Sequence, residues 1–170
     1  DLSALTNAAL LLQIVSAERD CPNSLATNEG EEYCNRGVVQ AYRPLLNYPH
    51  ELCNGTGKVP ILDPKLMRLP CPQLKGYVNG HLHRKRSDDC YHCHGRNWVP
   101  NPDAWAMKKA LHLAGFHLGE VHRWPSFQQT GDDWSAVCYP YNSPKLGNEG
   151  TWAADPERAR YLAVAEAFGI

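Results

Sequence analysis

The sequence predicts an α+β fold in which a cysteine-rich module is inserted between an N-terminal helix and a C-terminal helix–sheet–helix layer. Three observations lead there. Apolar residues recur at helical spacing over residues 4–18, 104–114 and 159–168. Short segments containing tryptophan and tyrosine lie between the last two. Residues 50–100 combine cysteine, histidine, glycine and proline with no sustained period. The expected divisions are an N-terminal helix and loop over 1–49, the cysteine-rich module over 50–100 and an α-β-β-α domain over 101–170.

The first helix places Leu5, Ala8, Ala9, Leu11, Leu12, Val15 and Ala17 at a helical period, with Ser3 or Thr6 available as its cap. The polar stretch from Asp20 to Arg36 has no period and reads as loop. A short apolar segment, Gly37–Tyr48, ends at Pro49. In the C-terminal third, Asn101-Pro102-Asp103 supplies an N-cap, a proline at the first helical position and an acid in the first turn. Ala104, Met107, Leu111 and Ala114 mark one face of that helix, and Gly115 stops it. Residues 116–124 and 134–139 read as strands around a turn at Thr130-Gly131-Asp132-Asp133. Asp155-Pro156-Glu157 opens a last helix through Ala159, Leu162, Ala165 and Phe168, closed by Gly169.

Two stretches of the middle module repeat each other. His50-Glu51-Leu52-Cys53-Asn54-Gly55-Thr56-Gly57-Lys58-Val59-Pro60 aligns with Cys90-Tyr91-His92-Cys93-His94-Gly95-Arg96-Asn97-Trp98-Val99-Pro100. Each has a soft metal ligand, two spacers, a cysteine, one spacer and a glycine, followed by Val-Pro. Zinc in a structural role takes four thiolate or imidazole ligands in a closed tetrahedron. His50, Cys53, Cys90 and Cys93 supply such a set, with Cys71, His81, His83, His92 or His94 as possible replacements for His50. The glycine after each cysteine leaves backbone amides able to donate to a thiolate sulfur. A segment this poor in apolar residues needs a metal or disulfides to hold its shape.

These residues resemble the cysteine-rich zinc knuckles of DnaJ-type co-chaperones, whose unit is Cys-x-x-Cys-x-Gly-x-Gly. Cys90, Cys93 and Gly95 match the unit, with Asn97 in place of its second glycine. Cys53, Gly55 and Gly57 match another copy, with His50 in place of the leading cysteine, and Cys71 to Val78 forms a degenerate third. The resemblance implies a local fold held by zinc. No His-Pro-Asp triplet occurs, so it does not extend to a J-domain. Residues 101–170 are similar to small ABA-sandwich proteins of bacteriophages, in the Asn-Pro-Asp helix start, the Leu-Ala-Gly stop, the tryptophan-bearing hairpin and the closing helix. That resemblance implies a phage or mobile-element accessory protein that binds a host protein or nucleic acid and modulates host machinery or defence.

Two competing chemistries are legible. Cys90-Tyr91-His92-Cys93-His94 also spells the attachment motif of c-type haem, with His94 as axial ligand, which would make the chain an electron carrier. His81 and His83, spaced to share one face of a strand, with Asp88 and Asp89 nearby, could form a catalytic metal site. Arg84, Lys85 and Arg86, with Lys58, Arg96 and Trp98, form a candidate patch for a nucleic acid or other partner. No nucleophile elbow or phosphate loop occurs, so the expectation is binding without catalysis.

The formal charge of -1 offers no global basic field. No run approaches the roughly 18 apolar residues of a membrane span. The most apolar run, residues 8–15, lacks a basic leader and reads as helix rather than signal peptide. Seven cysteines, an odd number, with a metal-like Cys90–Cys93 pair point to a reducing compartment and a cytoplasmic location.

Overall fold

The structure, a computed structural model, describes residues 1–20, 24–26, 32–34, 57–72, 77–78, 81–82, 90–124, 131, 133–142 and 150–170. For 24–26, 32–34, 77–78 and 81–82 it describes strand pairing alone. The fold is of the α+β class, with helices and small antiparallel sheets. The chain divides into two compact units, Ala17–Ile61 and a larger one made of Asp1–Ser16 with Leu62–Ile170.

In chain order the elements are α1 (Asn7–Ser16), β1 (Glu18–Asp20), β2 (Ser24–Ala26), β3 (Glu32–Cys34), β4 (Lys58–Pro60), α2 (Pro64–Met67) and β5 (Arg68–Pro70). There follow β6 (Tyr77–Val78), β7 (His81–Leu82), β8 (Trp98–Pro100), α3 (Ala104–Leu113), β9 (Phe116–Leu118) and β10 (His122–Arg123). Strands β11 (Trp134–Ala136), β12 (Cys138–Pro140) and β13 (Thr151–Ala153) precede α4 (Pro156–Phe168).

In the smaller unit β1 pairs antiparallel with β4, and β2 with β3. These strands lie where the sequence shows no period. Three residues are too few to display an alternation. Lys58 forms an exposed ion pair with Asp20 across the first ladder.

In the larger unit α1 starts at Thr6, whose Oγ1 accepts from the Ala9 amide at 3.2 Å. It buries Leu10, Leu11, Ile14 and Val15, and it packs on α4. Helix α3 is capped by Asp103, which accepts from the Ala106 amide at 2.9 Å. The expected cap, Asn101, instead accepts from the Asp103 amide and donates to Leu66 O at 2.8 Å, tying the helix entry to α2. Asp155 caps α4 with Pro156 at its first position, and Gly169 closes it in the left-handed region, as the sequence predicts.

The two expected strands of the C-terminal layer are each broken in two. Gly119 donates its amide to Val137 O at 2.9 Å, between two different sheets. Before that point β9 pairs with β12; beyond it β10, β11 and β13 form a three-stranded antiparallel sheet. A Cβ at Gly150 would meet Ala136 O at 3.2 Å, so glycine lets β13 enter close to its neighbour. Helix α4 lays Ala159 and Ala163, one turn apart, against Ala136 and Ala153 of that sheet. Small residues on both sides permit close packing.

One side chain joins the two ends of the larger unit. Arg158 donates through Nη1 to Leu5 O (2.7 Å) and Asn7 Oδ1 (3.1 Å), and through Nη2 to Leu2 O and Ser3 O (both 3.0 Å). A planar fork is needed to serve four acceptors at once. Arg158→Ala is expected to lower stability by roughly 2 kcal/mol and Arg158→Lys to recover little of it, read by urea unfolding. Amide exchange should accelerate first over residues 2–10.

Candidate metal centre

The centre is built on a two-stranded ladder. β5 runs antiparallel to β8 with Arg68↔Pro100, Leu69↔Val99 and Pro70↔Trp98. Backbone bonds extend the ladder at both ends, from Asn101 N to Met67 O at 2.8 Å and from Cys71 N to Asn97 O at 2.9 Å. Cys71, the residue after β5, therefore faces the loop that precedes β8.

That loop, Cys90–Asn97, is tightly turned. His94 N donates to Cys90 O at 2.8 Å and Arg96 N to Cys93 O at 3.0 Å. His94 (φ 47°), Gly95 (φ 83°) and Asn97 (φ 68°) all lie in the left-handed region. Gly95 supplies that conformation without steric cost. Asn97 stands where the repeat unit has its second glycine, and asparagine is among the side chains that best tolerate left-handed backbone.

The loop brings Cys90 and Cys93 to Cys71, and the three sulfurs lie within 4.8 Å of one another. Cys71 Sγ and Cys90 Sγ are 3.6 Å apart. A disulfide requires about 2.05 Å, so these are thiols. Two thiolates on one tetrahedral zinc, each at about 2.3 Å, are roughly 3.8 Å apart, so the spacing suits a shared ion. Cys71 and Cys93 are buried and Cys90 half-buried. The Cys93 backbone amide, reinforced by that of His92 and by the neighbouring thiols, lowers Cys90 to about 7 against an opposing effect of burial. The donor set and its electrostatics fit a metal cation, and these three cysteines can hold one.

The structure places the expected site residues as follows. Cys90 and Cys93 belong to the cluster, and Cys71, considered in the sequence only as a replacement ligand, completes it. His50, Cys53, His83, Arg84, Lys85, Arg86, Asp88 and Asp89 lie outside the described residues. His81 opens β7 opposite Val78. His92 and His94 are exposed beside the cluster, His92 edge-on to Tyr91 at 5.6 Å. Lys58 is engaged by Asp20. Trp98 is flanked by cations, with Arg68 at 4.2 Å and Arg96 at 5.5 Å from its ring, so this part of the patch is partly closed on itself.

A separate cleft of about 380 Å³ is lined in part by Trp105, Lys108, Glu120, Trp134 and Arg160. Its carboxylate, Glu120, is paired with Lys108, which holds it below the usual range. The lining contains no histidine, cysteine or serine among the described residues. Cys138 lies apart, its thiol pushed up to about 12 by burial. No helix among the described residues is long and apolar enough to cross a membrane.

Comparison of the chain with protein-family models, with curated proteins and with solved structures finds no match.

Two measurements probe this geometry. Asn97→Gly is expected to leave stability unchanged or slightly higher, whereas Asn97→Val should cost about 1–2 kcal/mol in urea unfolding. In metal-free protein, alkylation of Cys90 should rise with a midpoint near pH 7 while Cys138 stays unlabelled to pH 9, followed by mass spectrometry of peptides.

Proposed function

We propose that this chain is a small zinc-binding protein that acts by binding a partner and does no chemistry of its own. The gathering of three thiols on one ladder supports this reading. Soft thiolates favour zinc over hard cations, and a site closed by a fourth protein donor leaves no position for a substrate. Of the imidazoles the sequence offers for that place, His81, His83, His92 and His94 lie nearest to the three thiols in the chain, with His50 further off. When bound, the ion would neutralise the converging thiolates and lock the loop Cys90–Asn97 in its turned form.

The locked loop would present Tyr91, which is 84 % exposed, together with His92 and His94. A rigid aromatic tip of this kind suits recognition of a protein surface or of nucleic-acid bases. The partner in this reading is a host protein or nucleic acid, met in a phage or mobile-element setting where the chain modulates host machinery. Attachment of haem fits the cluster less well. Cys93 is 3 % exposed, and both knuckle sulfurs sit beside Cys71 rather than facing a porphyrin edge.

Elemental analysis with an absorbance spectrum tests the reading on purified protein. A colourless chain carrying zinc, part of which is lost in Cys93→Ser, is the expected result. Chelation should make peptide bonds in 72–97 cleavable by protease while α4 stays protected. A Soret band retained on denaturation, or a zinc content indifferent to Cys93→Ser, would overturn it.

A further inference from the structure

A cleft opens where the C-terminal layer splits. Strand β9 pairs with β12 and β10 with β11, and the residues between β9 and β10 line the opening. Helix α3 contributes Trp105 and Lys108, α4 contributes Arg160 and β11 contributes Trp134. All of them belong to the larger unit. The volume of about 380 Å³ falls within the range of roughly 300–1,000 Å³ that small-molecule sites occupy.

Two indoles stand on this cleft. Trp105 is 66 % exposed and Trp134 half-buried. Each has beside its ring a cation that is not part of the lining, Lys109 at 5.0 Å from Trp105 and Arg123 at 5.8 Å from Trp134. Indoles left this open, and carried on a helix and a strand, offer a flat and rigid apolar surface to another ring.

The charged groups of the lining are Lys108, Arg160 and Glu120. Glu120 Oε1 accepts from Lys108 Nζ at 2.6 Å, and among the described residues Oε2 has no partner. The hydrogen bond and charge of Lys108 hold this carboxyl below the usual range, so at neutral pH it remains an acceptor. The Arg160 guanidinium makes no hydrogen bond or ion pair among the described residues. With Lys108 and Glu120 paired, its positive charge is the surplus of the cleft.

A ligand that satisfies every feature needs a flat ring, an anionic group and an N–H donor on the edge of the ring. A sugar lacks the charge, and an acidic peptide or a phospholipid headgroup lacks the ring. We infer that this cleft binds a nucleotide, with its base against the indoles of Trp105 and Trp134, its base edge on Glu120 and its phosphate on Arg160. The edge contact sets a preference, because a carboxylate only accepts. Guanine presents an imino and an amino N–H side by side, whereas uracil presents one N–H between two carbonyl oxygens. Guanine is therefore the favoured base. The same chemistry is offered by a free nucleotide and by one residue of a single strand. The cleft shares no residue with the cysteine cluster, so this inference holds with or without a metal ion.

Calorimetric titration of the full chain tests it, with guanosine monophosphate (GMP), uridine monophosphate, inorganic phosphate and a short single strand carrying one central guanine. GMP is expected to bind one to one and roughly tenfold more tightly than the uridine nucleotide. Trp105→Ala, at an exposed position, should weaken GMP roughly tenfold. Glu120→Gln separates base reading from simple attraction of an anion. It removes a negative charge, so a mere phosphate site would tighten, whereas a site that reads the base loses both affinity for GMP and the preference over uridine. Tighter binding of the single strand than of GMP assigns the cleft to a nucleic acid, and otherwise to the free nucleotide; either upholds the inference if Trp105→Ala weakens it. No saturable binding of GMP or of the strand, GMP bound no better than phosphate or the uridine nucleotide, or tighter GMP binding in Glu120→Gln would each overturn it.

Discussion

The pairing of Leu69 with Val99 is the constraint on which the three-cysteine cluster depends. A slip of one residue would turn the strand over and carry Cys71 away from the knuckle. Several groups prevent it. Asn101 holds the open end twice, through its amide to Met67 O and its side chain to Leu66 O. At the other end, left-handed Asn97 aims the loop back into the ladder and accepts the Cys71 amide. Register, loop conformation and sulfur spacing are thus one property seen from different residues.

The two parts of the larger unit are held by different forces. Helices α1, α3 and α4 bury leucine, methionine and alanine against one another or against the short sheets, and Arg158 fastens the first turn to the last helix. Among the described residues of the ladder and its loop the buried side chains are Met67, Cys71 and Cys93, two of which are candidate ligands. A short ladder of this kind gains from any further tie between its strands. Coordination would take the place that hydrophobic burial fills in the C-terminal layer.

What could be read in the sequence is what short-range chemistry decides. Asp155-Pro156-Glu157 and Gly169 mark their helix because cap, proline and left-handed stop all act within one turn. Cys90 and Cys93 were legible because their spacing is itself the geometry of a chelating turn. Cys71 was legible only as one of several replacements for His50, since its place in the cluster depends on a strand pairing between distant residues. The sequence reads Asn101 as the cap and Asp103 as a first-turn acid, whereas Asp103 caps the helix and Asn101 is drawn to Leu66 O by a bond between distant residues. The split of residues 116–124 and 134–139 likewise follows from one long-range contact, Gly119 with Val137. Asn97 shows the opposite case: an apparent departure from the glycine pattern keeps the backbone conformation that the pattern encodes.

The bonds from Ile61 to Ala17 and from Asn101 to Met67 have a consequence for how such a chain can change. Each makes the entry and the exit of a segment immediate neighbours. A cassette closed in this way can be lengthened, lost or duplicated while the points at which it joins the surrounding chain stay where they were. The ten extra residues that separate β1 from β4, compared with β5 from β8, sit inside such a closed loop and leave its register untouched. An architecture of this type is free to vary its loop tips independently of the helices that frame them.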